Sequence, residues 1–348
     1  MPITVIDVVQ FNELKKKFAV LDVRSPSEYA YAHIPGALSF PIFTDEERKI
    51  IGTLYKQTSR EAAVIEGLKY FGNNLADKAI AAMDLVKQSG KDSSAVIVHC
   101  WRGGMRSGAI VWLLNLFGIQ VYQLSGGYKA WRNATLERLE VPRSLKLING
   151  YTGSNKTGII NRLAATGEPA IDLEGLAGHK GSAFGNLDMV PQPSQEQFEN
   201  LLSEALRQWD EYKPGASIWL EAENQRIGLR NIPTPFFAQM KAAPHYYLIV
   251  PFDVRLDFIT KHYGKHDTEK IINAIVRIQK KLGGKETREC IHLMLEGNIK
   301  ECFRILLAYY DRLYLRNSPP PEDPTSPFLI HTNTINEQEN LLKLPIHD

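Results

Sequence analysis

Twice in this chain an apolar run of strand length breaks into a short Gly-bearing loop and resumes as a helical pattern. The first is AVIVHC followed by WRGGMRS (95–107); the second is LKLIN followed by GYTGSNKT (145–157). A strand that feeds a helix in this way belongs to a parallel sheet, because a parallel neighbour needs a crossover long enough to hold that helix. FAVLDVR (18–24) and AVIVHC (95–100) are continuous β-branched runs, as strands buried on both faces are. Between them, residues 61–90 repeat apolar positions every three or four residues and stop at Gly90, a helical pattern. VWLLNLF (111–117) reads as a helix after the Cys100 loop, and VYQLSGG (121–127) as a strand and turn. ERLEVPRS (137–144) is polar, holds Pro142 and precedes the second α/β rhythm, so the expected domains are 1–136 and 143–348. In the second, AIDLE (170–174), SIWLEAE (217–223) and YYLIVPF (246–252) are further strands. Residues from about 253 to 316 turn helical and basic, SPPPEDPTSP (318–327) is a proline-rich loop, and FLIHT (328–332) is placed to close the sheet.

A length of 348 residues fits about two domains at roughly 150 residues each. The net charge of +2 advertises no nucleic-acid partner, so any such partner must be held by a local basic patch. The longest strongly apolar stretch, Ala109 to Ile119, is interrupted by Asn115 and is far too short to span a bilayer. MPITVIDVVQFNEL lacks the basic flank and apolar core of a signal peptide. Three cysteines, Cys100, Cys290 and Cys302, show no metal-type spacing, which implies a reducing, cytoplasmic setting.

Cys100 stands where the unpaired N–H groups of a helix N-terminus point outward. Arg102 and Arg106 add positive charge, and Gly103 and Gly104 let backbone amides close on a ligand. All of this favours thiolate over thiol, so Cys100 is expected to be a low-pKa nucleophile beside an anion site. By spacing, His-Cys-five residues-Arg-Ser is also the signature of protein tyrosine phosphatases. LDVRSPSEYAYAHIPGALSFP (21–41) and GGYKAW (126–131) instead resemble the two flanking motifs of rhodanese domains. Dual-specificity phosphatases share that fold and a seven-residue loop, so loop length alone leaves phosphatase chemistry open.

GYTGSNKT (150–157) stands in the strand-to-helix context that a phosphate-binding loop requires. Gly150, Thr152, Gly153 and Ser154 form its loop, and Lys156 and Thr157 take the positions of the phosphate-binding Lys and the phosphate- or metal-contacting hydroxyl. Asn155 replaces the second glycine of the pattern; Asn tolerates left-handed backbone better than most residues. The Gly-rich stretch DLEGLAGHKGSAFG (172–185) carries Asp172, Glu174, His179, Lys180 and Ser182, a second wall for a diphosphate. Glu221 and Glu223 of SIWLEAE could supply acidic groups at a strand end.

A rhodanese-type domain with CWRGGMRS, joined to a P-loop domain with DLEGLAGHKGSAFG and E-x-E-x-x-x-I-G, resembles the tRNA 2-selenouridine synthase family over essentially the whole chain. Asn155 and Lys180 depart from it, where Gly and Arg are expected. The resemblance implies a rhodanese-like parallel-sheet domain followed by a P-loop NTPase-like α/β domain with a helical, basic C-terminal part. It implies a two-step exchange on the wobble 2-thiouridine of tRNA: geranylation by geranyl diphosphate, then replacement by selenium from selenophosphate. Cys100, Arg102 and Arg106 would be catalytic, with Trp101, Gly103, Gly104, Met105 and Ser107 completing the selenophosphate loop. Residues 150 and 152–157, with His179, Lys180 and Ser182, would hold the diphosphate. No resident cofactor or protein-held metal is implied, although a magnesium ion is compatible with the diphosphate.

Residues 255–288 contain nine Lys or Arg against four acids. Lys261, Lys265, Arg277, Lys280, Lys281 and Lys285 are the candidates for tRNA phosphate contacts. A rhodanese-type sulfurtransferase or phosphatase with an appended kinase-like domain, and a regulatory P-loop module with a partner-binding rhodanese domain, are the alternatives. Neither a membrane partner nor an oligomeric state follows from the sequence.

Overall fold

In the computed structural model, which describes residues 3–181, 184, 191–317 and 319–346, both strand-loop-helix junctions arise from central strands of parallel sheets. The first sheet is built from β1 (Thr4–Ile6), β2 (Phe18–Asp22), β3 (Leu38–Ser39), β4 (Asp92–His99) and β5 (Gln120–Leu124). They pair in parallel in the order β1-β5-β4-β2-β3. Side chains alternate along β4. Val96 and Val98 join Phe71, Ala79 and Leu114 of the helices on one face, whereas Ala95 and Ile97 join Phe11 and Trp131 on the other. Burial of each such aliphatic side chain contributes roughly 1.5–3 kcal/mol, which explains why the strand reads as a continuous apolar run.

The single helical stretch expected over 61–90 folds as two helices, Arg60–Gly72 and Leu75–Gln88, interrupted at Asn73 and Asn74. Asn side chains compete for nearby backbone groups and disfavour a helix interior. A further helix, Asp45–Gln57, starts from a capping box between Thr44 and Glu47.

The second sheet contains β6 (Leu145–Gly150), β7 (Ala170–Ile171) and β8 (Ile218–Glu221). A two-stranded antiparallel ribbon, β9 (Arg226–Ile227) with β10 (Arg230–Asn231), stands apart from it. β11 (His245–Ile249) and β12 (Leu329–His331) complete the order β12-β11-β6-β8-β7, again all parallel. The FLIHT run thus closes an edge. Helices Phe252–Tyr263, Thr268–Arg277, Gln279–Leu282, Gly284–Leu295 and Ile299–Asn317 enclose their own apolar cluster, including Leu256, Ile275, Met294 and Leu306.

The chain divides into two units, residues 1–138 with 199–204 and residues 139–198 with 205–348. In each sheet the connections that leave a central pair, β2 with β4 and β6 with β11, head toward opposite edges. Ligands of open α/β sheets bind beyond the carboxyl ends of strands at such points. Among the described residues, no helix is long and apolar enough to cross a membrane.

Candidate functional site

Cys100 lies directly beyond β4, and the helix Met105–Leu116 begins five residues later. Continuing the alternation of Val96 and Val98, Cys100 packs on the face shared with Phe71 and Leu114, and only 3% of it is exposed. Its sulfur lies 3.3 Å from Ser107 Oγ. Gln123 Nε2 donates to Ser107 Oγ at 2.8 Å and to Gly103 O at 2.8 Å, which fixes the hydroxyl below the sulfur. The Ser107 proton can reach Gly104 O at 3.0 Å or swing to the sulfur. Burial by itself pushes the Cys100 thiol up. The Ser107 hydroxyl and amide, the Arg102 amide and the Arg106 charge outweigh it, so the thiol lies below its ordinary range.

The loop is clamped from behind. Gly103 sits at φ 65°, and a Cβ there would stand 2.5 Å from Leu124 O. Tyr128 N donates to Cys100 O at 2.8 Å and Lys129 N to Trp101 O at 3.0 Å. The two arginines differ in role. Arg102 is exposed at the rim, whereas Arg106 donates to both oxygens of Glu28, at 2.5 and 3.3 Å. Arg106 therefore supports the loop while its charge is largely matched by the Glu28 of the 21–41 motif. His99 is fully buried, and burial holds its imidazole low and neutral; it lies 3.8 Å from Asp22 Oδ2. Gly104 caps the helix, and Met105 is exposed on its first turn.

The second loop follows β6 in the same way. Asn155, at φ 57°, is the one non-glycine residue with positive φ among the described residues. Its Nδ2 donates to Ile335 O at 3.0 Å and Glu337 Oε1 at 2.7 Å, contacts that a glycine could not make. Lys156 Nζ donates to Gly150 O at 2.8 Å, folded across the loop. The Ser154 hydroxyl is fully buried and donates to Tyr151 O at 2.7 Å, so it holds the loop from inside. Gly150 N donates to Tyr314 Oη at 2.7 Å, and that hydroxyl donates to Asn149 Oδ1.

Two carboxyl groups meet at Thr157, and a third, Glu223, lies beside them. Thr157 Oγ1 lies 2.5 Å from Glu221 Oε1 and 3.2 Å from Glu174 Oε2. One hydroxyl proton cannot serve both, so the arrangement calls for a proton on a carboxyl. Burial, with the Glu223 charge beside it, pushes Glu174 to about 8. Burial, then the Glu174 and Asp172 charges, push Glu221 to about 8. Glu223, raised by burial and by Glu221, stands at about 7. A Cβ at Gly181 would lie 2.9 Å from both Glu174 Oε1 and Glu223 Oε2, so the turn after His179 packs over this cluster. Glu221 Oε2 is buried without a hydrogen-bond partner. Asp172 caps the short helix Leu173–Ala177 by accepting from Gly175 N at 2.6 Å. Among the described residues no three His, Cys, Asp or Glu side chains form a ready-made metal cage. Thr157, Glu174 and Glu221 nevertheless fit magnesium held jointly with a substrate phosphate, because that ion typically takes one or two carboxylates and completes its shell with water and phosphate oxygens.

Lys180 reaches the helix Phe252–Tyr263, its Nζ 2.9 Å from His262 Nε2 and 5.6 Å from the centre of the Tyr263 ring. His179 Nδ1 is buried without a partner, and Ser182 lies outside the described residues. Lys261, Lys265, Arg277, Lys280, Lys281 and Lys285 are all exposed. Arg255, counted with them in the basic run, is instead buried: it pairs with Asp311 at 2.7 Å and donates to Val250 O and Thr152 O. Its charge is spent inside the fold.

Gln123, Glu337 and Tyr314 were not singled out by sequence reasoning. Gln123 had a signal, a polar residue inside the apolar strand run VYQL. Glu337 and Tyr314 had none, because their loop partners are over 160 residues away.

Fold and loops define a two-domain enzyme in which a rhodanese-like domain precedes an AAA or P-loop domain. The rhodanese-like domain family matches residues 8–134, and the tRNA 2-selenouridine synthase AAA domain family matches residues 143–322. The tRNA 2-selenouridine synthase of Bdellovibrio bacteriovorus is 32% identical over 346 residues, spanning 87% of this chain and 90% of its own. That of Pseudomonas fluorescens is 30% identical, spanning 85% and 87%. That of Serratia proteamaculans is 37% identical, spanning 70% of this chain and 64% of its own. The chain belongs to the tRNA 2-selenouridine synthase family.

Proposed function

We propose that this chain converts the wobble 2-thiouridine of tRNA to 2-selenouridine in two steps, one at each loop, in the cytoplasm. In the first, the thiouridine sulfur attacks C1 of geranyl diphosphate, the C–O bond breaks and diphosphate leaves. Lys156 and the amides of the 150–157 loop take up the charge that develops on the leaving group. Magnesium at Thr157, Glu174 and Glu221 would neutralise diphosphate oxygens when bound. Alkylation matters because a thiocarbonyl sulfur leaves poorly, whereas a geranylthiol leaves readily. In the second step the Cys100 thiolate takes selenium from selenophosphate as a selanyl group, and phosphite leaves. The selanyl selenium attacks C2, the C2–S bond breaks and geranylthiol departs. Two thiol equivalents then reduce the remaining S–Se bond, which frees Cys100 and leaves 2-selenouridine. Arg102 and the amides at the start of the helix Met105–Leu116 suit the phosphate part of that donor. The exposed lysines of residues 261–285 suit the tRNA backbone.

The observation that carries this reading is the division of equipment. The loop after β4 holds a thiol of lowered pKa and a rim arginine. The loop after β6 has no thiol but has Lys156 and carboxyls. Nucleoside mass spectrometry of tRNA from cells lacking the protein tests it. Loss of 2-selenouridine and S-geranyl-2-thiouridine with persistence of 2-thiouridine is expected; persistence of 2-selenouridine would overturn it.

A further inference from the structure

Aromatic rings are plentiful in the sequence, and none is marked there as the one that meets a nucleobase. The first unit singles one out. Trp101 follows the nucleophile directly and keeps 38% of its surface exposed. Its indole leans on the Tyr128 ring, with centroids 5.6 Å apart. Tyr128 is fully buried, with the Arg24 guanidinium 4.0 Å from its ring centre, and Arg24 is held by Asp22 through two oxygens. The backbone on both sides of Trp101 is also fixed, by the bonds from Tyr128 N to Cys100 O and from Lys129 N to Trp101 O. The indole is thus a braced plane at the mouth of the Cys100 loop. Arg102 and Lys129, both exposed, flank it along the chain.

We propose that Trp101 is the stacking platform for the pyrimidine ring of the wobble nucleotide during selenium transfer. The inference rests on the tRNA reading above and adds the residue that presents the base. Selenium must bond to C2 of the pyrimidine, so that ring has to lie next to whatever Cys100 carries, while the geranylthiol departs from it. Single-stranded bases removed from their own stack are held by aromatic side chains in this way. A ring already braced by Tyr128 loses little freedom when a base covers it. Arg102 and Lys129 carry the charge that the flanking phosphates require.

The test uses full-length protein without selenophosphate or geranyl diphosphate, so that no turnover occurs. Labelled anticodon stem-loops carry either 2-thiouridine or an abasic site at the wobble position. Trp101→Ala should weaken binding of the 2-thiouridine RNA about ten-fold, and Trp101→Phe should restore it to within about three-fold, since a smaller ring still stacks. The abasic RNA should bind both variants and wild type alike. Equal loss on both RNAs, or no loss, overturns the assignment. A third stem-loop with S-geranyl-2-thiouridine separates the alternative: loss confined to that RNA would make Trp101 a wall for the isoprenoid chain. Alkylation of Cys100 by iodoacetamide should proceed at the wild-type rate in both variants. A fall in both would show that Trp101 merely holds the loop. Wild-type protein that binds none of the RNAs would overturn the tRNA reading itself.

Discussion

Five residues, Cys100 to Gly104, separate β4 from its helix, and five, Tyr151 to Asn155, separate β6 from its own. Both loops deliver backbone N–H groups to a helix start beyond the carboxyl edge of a parallel sheet. In the first loop those donors and Ser107 turn toward a protein atom, the Cys100 sulfur, and pull its pKa down. In the second, the nearest ionisable groups are an ammonium and carboxyls pushed up to about 7 or 8. The same backbone device stabilises an anion that belongs to the protein in one unit and suits an anion brought by a ligand in the other. What differs is the side chain that the strand end presents, and with it the chemistry open to each loop.

The sharpest way to break this contrast is Cys100→Ser. A hydroxyl cannot carry selenium as a thiolate can, so 2-selenouridine should fall below detection while S-geranyl-2-thiouridine accumulates in tRNA. Equal loss of both nucleosides would mean that the two loops do not divide the work. Lys156→Ala should act on the other step. Removing one positive group from a developing leaving-group charge should slow geranylation by roughly 10²–10³-fold, and pre-geranylated tRNA should bypass the defect. A variant that fails equally on pre-geranylated tRNA would place the second loop in selenium transfer or tRNA binding.

Much of this was legible because local chemistry sets it. β4 and β6 announce themselves as apolar runs, and the Gly-bearing loops follow within the same dozen residues. Cys100, Arg102 and Ser107 lie within eight consecutive positions. Arg255 shows the limit: a charge count treats every arginine as solvated, but Asp311, fifty-six residues later, draws this one inside. Asn155 shows another. As a departure from a glycine pattern it reads simply as a residue that tolerates the left-handed backbone, and only the contact with residues 335 and 337 shows it as a tether. The break at Asn73 and Asn74 was missed for a different reason, since the apolar periodicity continues across it.

The acidic cluster gives a pH test of the second unit. Glu174, Glu221 and Glu223 are raised above the usual carboxylate range, chiefly by burial, with one another, Asp172 and Lys156 as the facing charges. Between pH 4.5 and about 8 the folded protein therefore holds more protons than the unfolded chain. Stability from this source is full below the unfolded pKa and is lost as pH rises through 7 to 8. Tm should fall by several degrees between roughly pH 6 and pH 8.5, at about 2–4 °C for each kcal/mol in a domain of this size. Glu221→Gln, which cannot ionise, should flatten the curve. Magnesium with inorganic diphosphate should oppose the fall by favouring the deprotonated groups. A Tm that is level over this range would mean that the carboxyls are already ionised.

The smallest effect concerns how firmly the second loop is held. The first is braced by backbone bonds from Tyr128 and Lys129, whereas the second is held by side chains: Ser154 at Tyr151 O, Arg255 at Thr152 O, and Asn155 reaching Ile335 and Glu337. Asn155→Gly separates the conformational role of this position from its tethering role. Glycine adopts φ 57° without strain, which favours the variant, but it frees the unfolded chain and removes both hydrogen bonds. Each lost bond costs about 1 kcal/mol, more for the one to the Glu337 carboxylate. The gain in backbone ease is smaller, because Asn already tolerates this region. The net expectation is a loss of about 2 kcal/mol, read as a lower urea midpoint at unchanged slope. Asn155→Ala should lose more, since it keeps the strained φ and loses the same bonds. Wild type, then Gly, then Ala is therefore the expected order of stability, with inorganic diphosphate binding kept to within about three-fold in the Gly variant, where the backbone donors stay in place. If Gly equals wild type, the tether contributes nothing and the left-handed backbone alone explains why Asn is tolerated. If Gly instead binds diphosphate ten-fold more weakly, the Asn155 side chain holds the loop in its binding geometry, and the two loops are braced to the same degree by different means.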